Sequence, residues 1–120
     1  MNSKVTVYSY SSCSTCKKAL NWLDQNKITY ELIDIVKRPP KKEIIQKAIE
    51  AFGEKKNLFN TRGKSYRELG PEIVKSMTNE QAIVALANDG KLIKRPFLLC
   101  SSGHILLGFN EKIWSDYFFD

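Results

Sequence analysis

Apolar and polar residues alternate in two short segments near the N-terminus, and a helical repeat separates the two segments. Residues 4–10 and residues 28–35 carry β-branched and aromatic side chains at a two-residue period, which predicts strands. Between them, apolar side chains recur at the spacing of one helix face, at Cys16, Ala19, Leu20 and Leu23. A strand, a helix and a strand predict a βαβ unit with parallel strands and a right-handed crossover.

The C-terminal part of the chain predicts two more strands and a last helix. The apolar runs 97–100 and 105–107 are separated by a glycine-containing link, which is typical of a β-hairpin. Asn110 is a suitable N-cap for the helix that follows. The side chains expected on one side of that helix are Ile113, Trp114, Tyr117 and Phe118.

The segment between these two parts shows helical signals and no strand pattern. Pro39-Pro40 ends the second strand and can start a helix, for which Gly53 is the predicted C-terminal cap. Residues 54–77 are expected to form short helices and turns, and Thr78–Gln81 fits a capping box at the start of another helix. We therefore predict one α/β domain over residues 1–120, with a helical insertion at about 38–90.

The composition narrows the class of protein. With 120 residues, 42% apolar and 27% charged, the chain fits one globular domain, and it has no apolar run of the ~20 residues that a membrane-spanning helix needs. The N-terminus shows no signal-peptide core, and three cysteines do not form a secreted disulfide framework. We expect a cytoplasmic protein, not associated with membranes, whose cysteines act in chemistry.

The positive charge is concentrated in one segment. Residues 37–64 contain nine Lys or Arg and three Glu, an excess of six that equals the formal net charge of +6 of the whole chain. A basic surface attracts nucleic acid, acidic proteins or small oxyanions. No nucleic-acid motif accompanies this charge, so we expect no direct nucleic-acid binding. The plainest interpretation is a solvated, lysine-rich helix face.

The motif Cys13-Ser-Thr-Cys16 is the sharpest chemical signal in the chain. Cys13 follows a predicted strand at the N-cap position of a predicted helix, where backbone N–H groups stabilise a thiolate. Cys16 lies one turn further on, close enough to form a disulfide with Cys13. Half of a zinc site and simple core packing are the alternatives, but the only histidine is His104 and no second Cys pair exists. We therefore predict no metal site.

Three other residues are candidates, each with a plain alternative. Arg95 precedes Pro96 at the start of the third strand; in a thioredoxin-like fold a cis-proline at this place lies beside the active sulfur, and Arg95 would then point toward Cys13. Arg62 could hold an oxyanion through two parallel hydrogen bonds, although by itself a surface arginine is the commoner case. Cys100, on a predicted strand, is expected to be a buried packing residue.

Four stretches together resemble the arsenate reductase (ArsC-type) family of thioredoxin-like proteins and its Spx-related branch. They are residues 10–19 around the two cysteines, 59–70 in the insertion, 92–96 ending in Arg-Pro, and 107–111. The resemblance implies a thioredoxin-like α/β fold with a mixed four-stranded sheet. It places the family's nucleophile on Cys13 and its Arg-Pro arginine on Arg95.

The resemblance also implies a function. It indicates a thiol–disulfide oxidoreductase with no bound cofactor, acting on a small oxyanion or a disulfide, with glutathione, glutaredoxin or thioredoxin as the reductant. Cys13, Cys16 and Arg95 would be catalytic, and Arg62, Pro96 and Asn60 would bind the substrate or anion. The alternative is an Spx-like redox regulator that binds RNA polymerase without catalysis.

Two departures from the glutaredoxin-dependent arsenate reductases change what the resemblance implies. Those enzymes usually lack a cysteine at the position of Cys16, and the last of their three arginines corresponds to Gly108. Asn60 falls near the place of the insertion arginine, whereas Arg62 matches an Spx-like Thr-Arg pattern. Efficient arsenate reduction is therefore not implied.

Overall fold

The computed structural model describes residues 4–119, and within them the predicted order of strands and helices is observed. In chain order these are β1 (Val5–Ser9), α1 (Ser14–Gln25), β2 (Tyr30–Asp34), α2 (Lys42–Phe52), α3 (Lys64–Leu69), α4 (Pro71–Ser76), α5 (Asn79–Asn88), β3 (Phe97–Cys100), β4 (Ile105–Leu107) and α6 (Glu111–Phe119). Short 3₁₀ turns at Lys55–Leu58 and Gly90–Leu92 complete the set. Residues 1–3 and 120, which the single-domain prediction includes, lie outside the described residues.

The four strands form one mixed sheet in the order β2-β1-β3-β4, which confirms the predicted α/β sheet. Strand β3 is antiparallel to both of its neighbours, with Val5 opposite Cys100 and Tyr8 opposite Phe97. Because β1 and β3 are antiparallel, the C-terminal end of β1 lies beside the N-terminal end of β3. The segment that follows β1 toward Cys13 and the segment that leads from Pro96 into β3 therefore lie at the same end of the two paired strands.

The residues pack into two units, which we describe separately. The first contains the described residues up to Ile33 and from Arg95 onward, and the second is Asp34–Lys94. The second unit is somewhat wider than the insertion predicted at about 38–90. The assignment of the whole chain to a single domain stays a prediction.

The core of the first unit is built around two tryptophans, one on α1 and one on α6. The rings of Trp22 and Trp114 meet edge to face with their centroids 6.0 Å apart, and Phe109 packs edge-on against Trp114 at 4.9 Å. Edge-to-face contacts suit the charge distribution of aromatic rings and add to the gain from burial. The other buried members of this core are Val5, Val7, Ala19, Leu23, Leu98, Cys100 and Leu106.

In the second unit, the helix caps predicted from the sequence are observed. Gly53 caps α2 in the left-handed conformation, with φ of 82°, and Thr78 and Gln81 form the reciprocal hydrogen bonds of a capping box on α5. At Gly90, an added Cβ would overlap the carbonyl of Ile35, so the close approach of these two backbone segments requires glycine.

Two local predictions are wrong. Helix α2 begins at Lys42 with Lys41 as its N-cap, so Pro39-Pro40 precedes the helix and does not start it. On α6, the predicted cap is confirmed, since the Asn110 side chain accepts the Ile113 N–H at 3.0 Å, but Ile113 is 55% exposed. The helix buries a narrow face centred on Trp114, and Ile113 lies about 100° away around the helix axis.

Candidate functional site

Cys13 is the N-cap of α1, as the sequence predicted. Its backbone is extended, its N–H donates to the Tyr10 carbonyl at 3.1 Å, and its carbonyl accepts the Lys17 N–H at 3.1 Å. Its sulfur accepts the backbone N–H of Cys16 at 3.2 Å. The sulfur thus takes the place of the oxygen of a conventional capping side chain and meets the positive end of the helix dipole.

Cys16 lies directly behind Cys13 and is only 1% exposed, whereas Cys13 is half-buried. Both cysteines are free thiols. Burial, together with a hydrogen bond from the Cys16 thiol to the Cys13 sulfur, raises the pKa of Cys16 to about 11. Hydrogen bonds from the Ser9 hydroxyl and the Tyr10 backbone act in the opposite direction. The pair therefore consists of one accessible sulfur and one protonated thiol held next to it.

Arg95 lies beside the turn that carries Cys13. The Arg95–Pro96 peptide bond is cis, which confirms that prediction, and Pro96 is buried. The Arg95 guanidinium lies over the ring of Tyr10, 5.2 Å from its centroid. Because the Tyr10 carbonyl accepts the Cys13 N–H, the same residue contacts both the arginine and the cysteine turn.

Asn60 and Arg62 belong to the second unit, where they occupy one turn before α3. The Asn60 N–H donates to the Leu92 carbonyl at 2.7 Å, and the Arg62 carbonyl accepts from the Arg67 side chain at 2.8 Å. The Arg62 side chain is exposed. Their roles in substrate binding stay predictions, as do the catalytic roles of Cys13, Cys16 and Arg95.

Sequence reasoning assigned no role in the site to Ser9 or Tyr10. Ser9 is buried and its hydroxyl acts to lower the pKa of the Cys16 thiol, and Tyr10 carries the contacts just described. The available signal was the position of Ser9 at the two-residue spacing of Val5 and Val7, which places a small polar residue on an apolar strand face. Such a residue requires a hydrogen-bond partner when it is buried.

The third cysteine lies at the opposite end of β3 from Pro96. Cys100 is 2% exposed, as predicted, and burial raises its pKa, against a smaller opposing effect of a hydrogen bond from the Tyr117 hydroxyl. His104 is exposed, as expected, and stacks on the Tyr117 ring with centroids 4.3 Å apart. These contacts make Cys100 part of the packing between the hairpin and α6.

Two negative findings concern residues 4–119 only. No group of three or more His, Cys, Asp or Glu side chains in this part of the chain is placed to hold a metal ion. None of the helices formed by these residues has the length and apolar character that crossing a bilayer requires.

Comparison with known proteins identifies the family. The ArsC family model matches residues 8–117. The Bacillus subtilis protein YusI is 38% identical over 109 residues, which cover 89% of this chain and 92% of YusI. The crystal structure of "a possible arsenate reductase" from Streptococcus mutans is 41% identical with a TM-score of 0.83, covering 91% of this chain and 93% of that one.

A regulator also matches over most of its length. The global transcriptional regulator Spx of Streptococcus agalactiae is 27% identical over 110 residues, which cover 89% of this chain and 77% of Spx. The predicted relationship to arsenate reductases and Spx proteins and the predicted thioredoxin-like fold are therefore confirmed. On its sequence and its fold, the chain belongs to the ArsC family.

Proposed function

We propose that this protein is a cytoplasmic thiol–disulfide oxidoreductase in which Cys13 is the nucleophile and Cys16 the resolving thiol. One observation carries the proposal: the half-buried Cys13 sulfur accepts the Cys16 N–H at 3.2 Å at the N-terminus of α1, with the Cys16 thiol beside it. A helix N-terminus favours a thiolate over a thiol. The arrangement supports attack by Cys13 on a substrate that reaches it from solvent.

The reaction begins at Cys13. Its thiolate attacks one sulfur of a substrate disulfide, the other sulfur leaves as a thiolate that takes up a proton, and a mixed disulfide remains on Cys13. Cys16 then attacks the Cys13 sulfur, which releases the second substrate thiol and leaves a Cys13–Cys16 disulfide. Two glutathione molecules reduce this disulfide and become glutathione disulfide, directly or through glutaredoxin or thioredoxin.

Arg95 would stabilise negative charge beside the reacting sulfur. Its guanidinium lies over Tyr10, in the turn that ends at Cys13, so it is held near the place where the leaving thiolate develops charge. A guanidinium also binds a small oxyanion through two parallel hydrogen bonds. Arsenate is therefore a second substrate class to test, with Pro96 as a further binding residue; binding by Asn60 and Arg62 stays a prediction from the resemblance.

The decisive experiment compares cysteine variants with two substrates. Purified protein is given arsenate or a glutathione mixed disulfide, each with glutaredoxin and glutathione. Cys13→Ser should abolish turnover of the accepted substrate, and Cys16→Ser should accumulate a mixed disulfide that mass spectrometry maps to Cys13. Cys100→Ser, which removes the buried third thiol, is the matched control and should keep wild-type activity. Turnover that survives Cys13→Ser would overturn the proposal.

A second function is favoured by the match to Spx over 89% of this chain. In this alternative the Cys13–Cys16 pair is a redox switch and the partner is RNA polymerase. The basic segment at residues 37–64 supports contact with an acidic protein surface. A pull-down with RNA polymerase, comparing reduced and oxidised protein, tests it: retention that depends on the redox state, without turnover of either substrate, would favour the regulator.

A further inference from the structure

The second unit contains a cavity of about 480 Å³. Its lining comes from the C-terminus of α2, the 3₁₀ turn that follows, helices α3 and α4, and the first residue of α5. All of these residues belong to Asp34–Lys94, so the cavity lies within one unit. The volume falls within the range of about 300–1,000 Å³ that is usual for small-molecule sites. The residues that line the cavity include no cysteine, so its chemistry is not that of the Cys13–Cys16 pair.

The buried part of the lining is largely apolar. Tyr66 on α3 and Val74 on α4 line the cavity and are only 7% and 3% exposed. Pro71, the first residue of α4, adds apolar surface that is exposed to solvent. A ligand with an apolar group would remove this surface from water, which is favourable in proportion to the area covered.

The charged part of the lining has more cations than anions. Lys55, Lys56 and Lys75 line the cavity, and Lys55 is half-buried, which is unusual for a lysine without a partner. None of these three ammonium groups forms an ion pair or a side-chain hydrogen bond with another residue in the described part of the chain. Glu54 and Glu72 line the same cavity but are not paired with the lysines. Three donors are therefore available to an anion that enters the cavity.

The types of side chain around the cavity favour one class of anion. A carboxylate is best matched by the flat, paired donors of arginine, and the residues that line the cavity include no arginine. An ammonium group is a compact point charge. Several such groups together favour a compact anion of high charge, and a phosphate monoester carries about −1.5 to −2 at pH 7. Residues 34–94, with thirteen Lys or Arg and eight Asp or Glu, add a wider positive field that attracts anions.

We propose that this cavity binds a small phosphate monoester that carries an apolar or aromatic group. The three lysines hold the phosphate, and the apolar group packs against Tyr66 and Val74. The two glutamates accept hydrogen bonds from hydroxyl or amine groups on the organic part of the ligand. The proposal goes beyond the proposed function, because it assigns a ligand to a cavity that the thiol cycle does not use.

The test uses 1-naphthyl phosphate as the probe and amide chemical shifts of the reduced, full-length protein as the readout. Saturable shifts are expected at the amides of Gly53, Lys56 and Val74, which line the cavity. Inorganic phosphate lacks the ring and 1-naphthoate replaces the phosphate by a carboxylate, so both should bind more weakly at the same amides. Equal affinity for either compound would overturn the assignment of a phosphate monoester. Shifts confined to residues outside the cavity would overturn the site.

Lysine variants show whether the cavity's own cations hold the phosphate. Lys55→Gln and Lys75→Gln should each weaken binding of 1-naphthyl phosphate about threefold or more, as expected for contacts of partly exposed charges. Lys47→Gln removes an exposed lysine of α2 that does not line the cavity, and it is the matched control for the change in net charge. If all three variants bind the probe equally well, the proposal is wrong. Lys55→Gln should keep the thiol–disulfide activity, so that outcome would leave the proposed function standing.

Discussion

The guanidinium of Arg95 lies 5.2 Å from the centre of the Tyr10 ring, and the carbonyl of Tyr10 accepts the N–H of Cys13. One residue thus connects the arginine before the cis-proline with the cysteine at the helix N-terminus. Because a cation above an aromatic face is attracted to the ring, Tyr10 restricts where the guanidinium of Arg95 can lie.

Arg95→Lys should lower activity although it keeps the charge. A lysine ammonium is a point charge without the planar pair of donors, so it cannot form two parallel hydrogen bonds to an oxyanion. We expect kcat/KM to fall about 10-fold or more, which corresponds to at least ~1.4 kcal/mol of transition-state stabilisation. The same exchange at an exposed arginine of the second unit, Arg38→Lys, is the control. Equal rates for the two variants would make Arg95 an ordinary surface charge.

Tyr10 should influence activity through its ring. Tyr10→Phe keeps an aromatic face below Arg95 and should keep most of the activity, whereas Tyr10→Leu removes the face and should lower kcat/KM severalfold, since an exposed cation–π contact is worth about 0.5–1 kcal/mol. In an Arg95→Lys background the effect of Tyr10→Leu should shrink, because the group that the ring positions is already altered. If the two substitutions lower the logarithm of kcat/KM additively, the Tyr10 ring does not act through Arg95.

Cys13 should be alkylated before Cys16. The Cys13 sulfur is accessible at the N-terminus of α1, whereas the Cys16 thiol is 1% exposed and its pKa is raised to about 11. Iodoacetamide at pH 7, followed by peptide mapping after short times, measures the order directly. Cys100, at 2% exposure, should stay unlabelled in the folded protein and serves as an internal control. Labelling of Cys16 first would exchange the two assigned roles.

Much of the fold and part of the site could be predicted from the sequence. The strand and helix periods, the N-cap positions of Cys13 and Thr78 and the cap at Gly53 are local signals, and each appears where it was expected. The cis peptide before Pro96 was predictable only through the thioredoxin-like order of elements. Local pattern therefore sufficed wherever hydrogen bonding within a few residues determines the conformation.

The features that were missed depend on contacts between distant segments. The sequence gives no sign that the Ser9 hydroxyl lowers the pKa of Cys16, because that effect depends on how α1 packs on β1. It does not place the Tyr10 ring under Arg95 either, since the two residues are far apart in the chain. Ile113 was assigned to the same side of α6 as Trp114 because periodicity gives the direction of an apolar face but not its width.

Gly90→Ala should destabilise the fold strongly. A Cβ at this position would overlap the Ile35 carbonyl, and both partners are backbone segments that cannot move independently. We expect a loss of about 3 kcal/mol or more in the free energy of unfolding, the upper end of the cost of overpacking an interior site. Gly53→Ala is the matched control, because its added Cβ meets open space and the cost there is only that of a positive φ, about 1 kcal/mol. If chemical denaturation gives equal losses of unfolding free energy for the two variants, the close approach of Gly90 to the Ile35 carbonyl is contradicted.

The stability of the reduced protein should depend on Cys16 at alkaline pH. The pKa of this thiol is raised from 9.0 to about 11, chiefly because burial disfavours the thiolate, so the folded state holds the proton more tightly than the unfolded chain. Below pH 9 the folded and the unfolded protein both keep the Cys16 proton, so the raised pKa causes no loss in the free energy of unfolding. Between pH 9 and 11 the unfolded chain loses its proton first, so the free energy of unfolding falls, by at most about 3 kcal/mol over this window.

Urea denaturation of reduced wild type and Cys16→Ala at pH 7, 9, 10 and 11 measures this contribution. The other titrating groups are shared by the two proteins, so the difference between their free energies of unfolding reports Cys16 together with its contact with Cys13. Wild type should lose stability more steeply than Cys16→Ala above pH 9, and the two curves should run parallel below it. Parallel curves up to pH 11 would mean that Cys16 ionises as easily in the folded protein as in the unfolded chain.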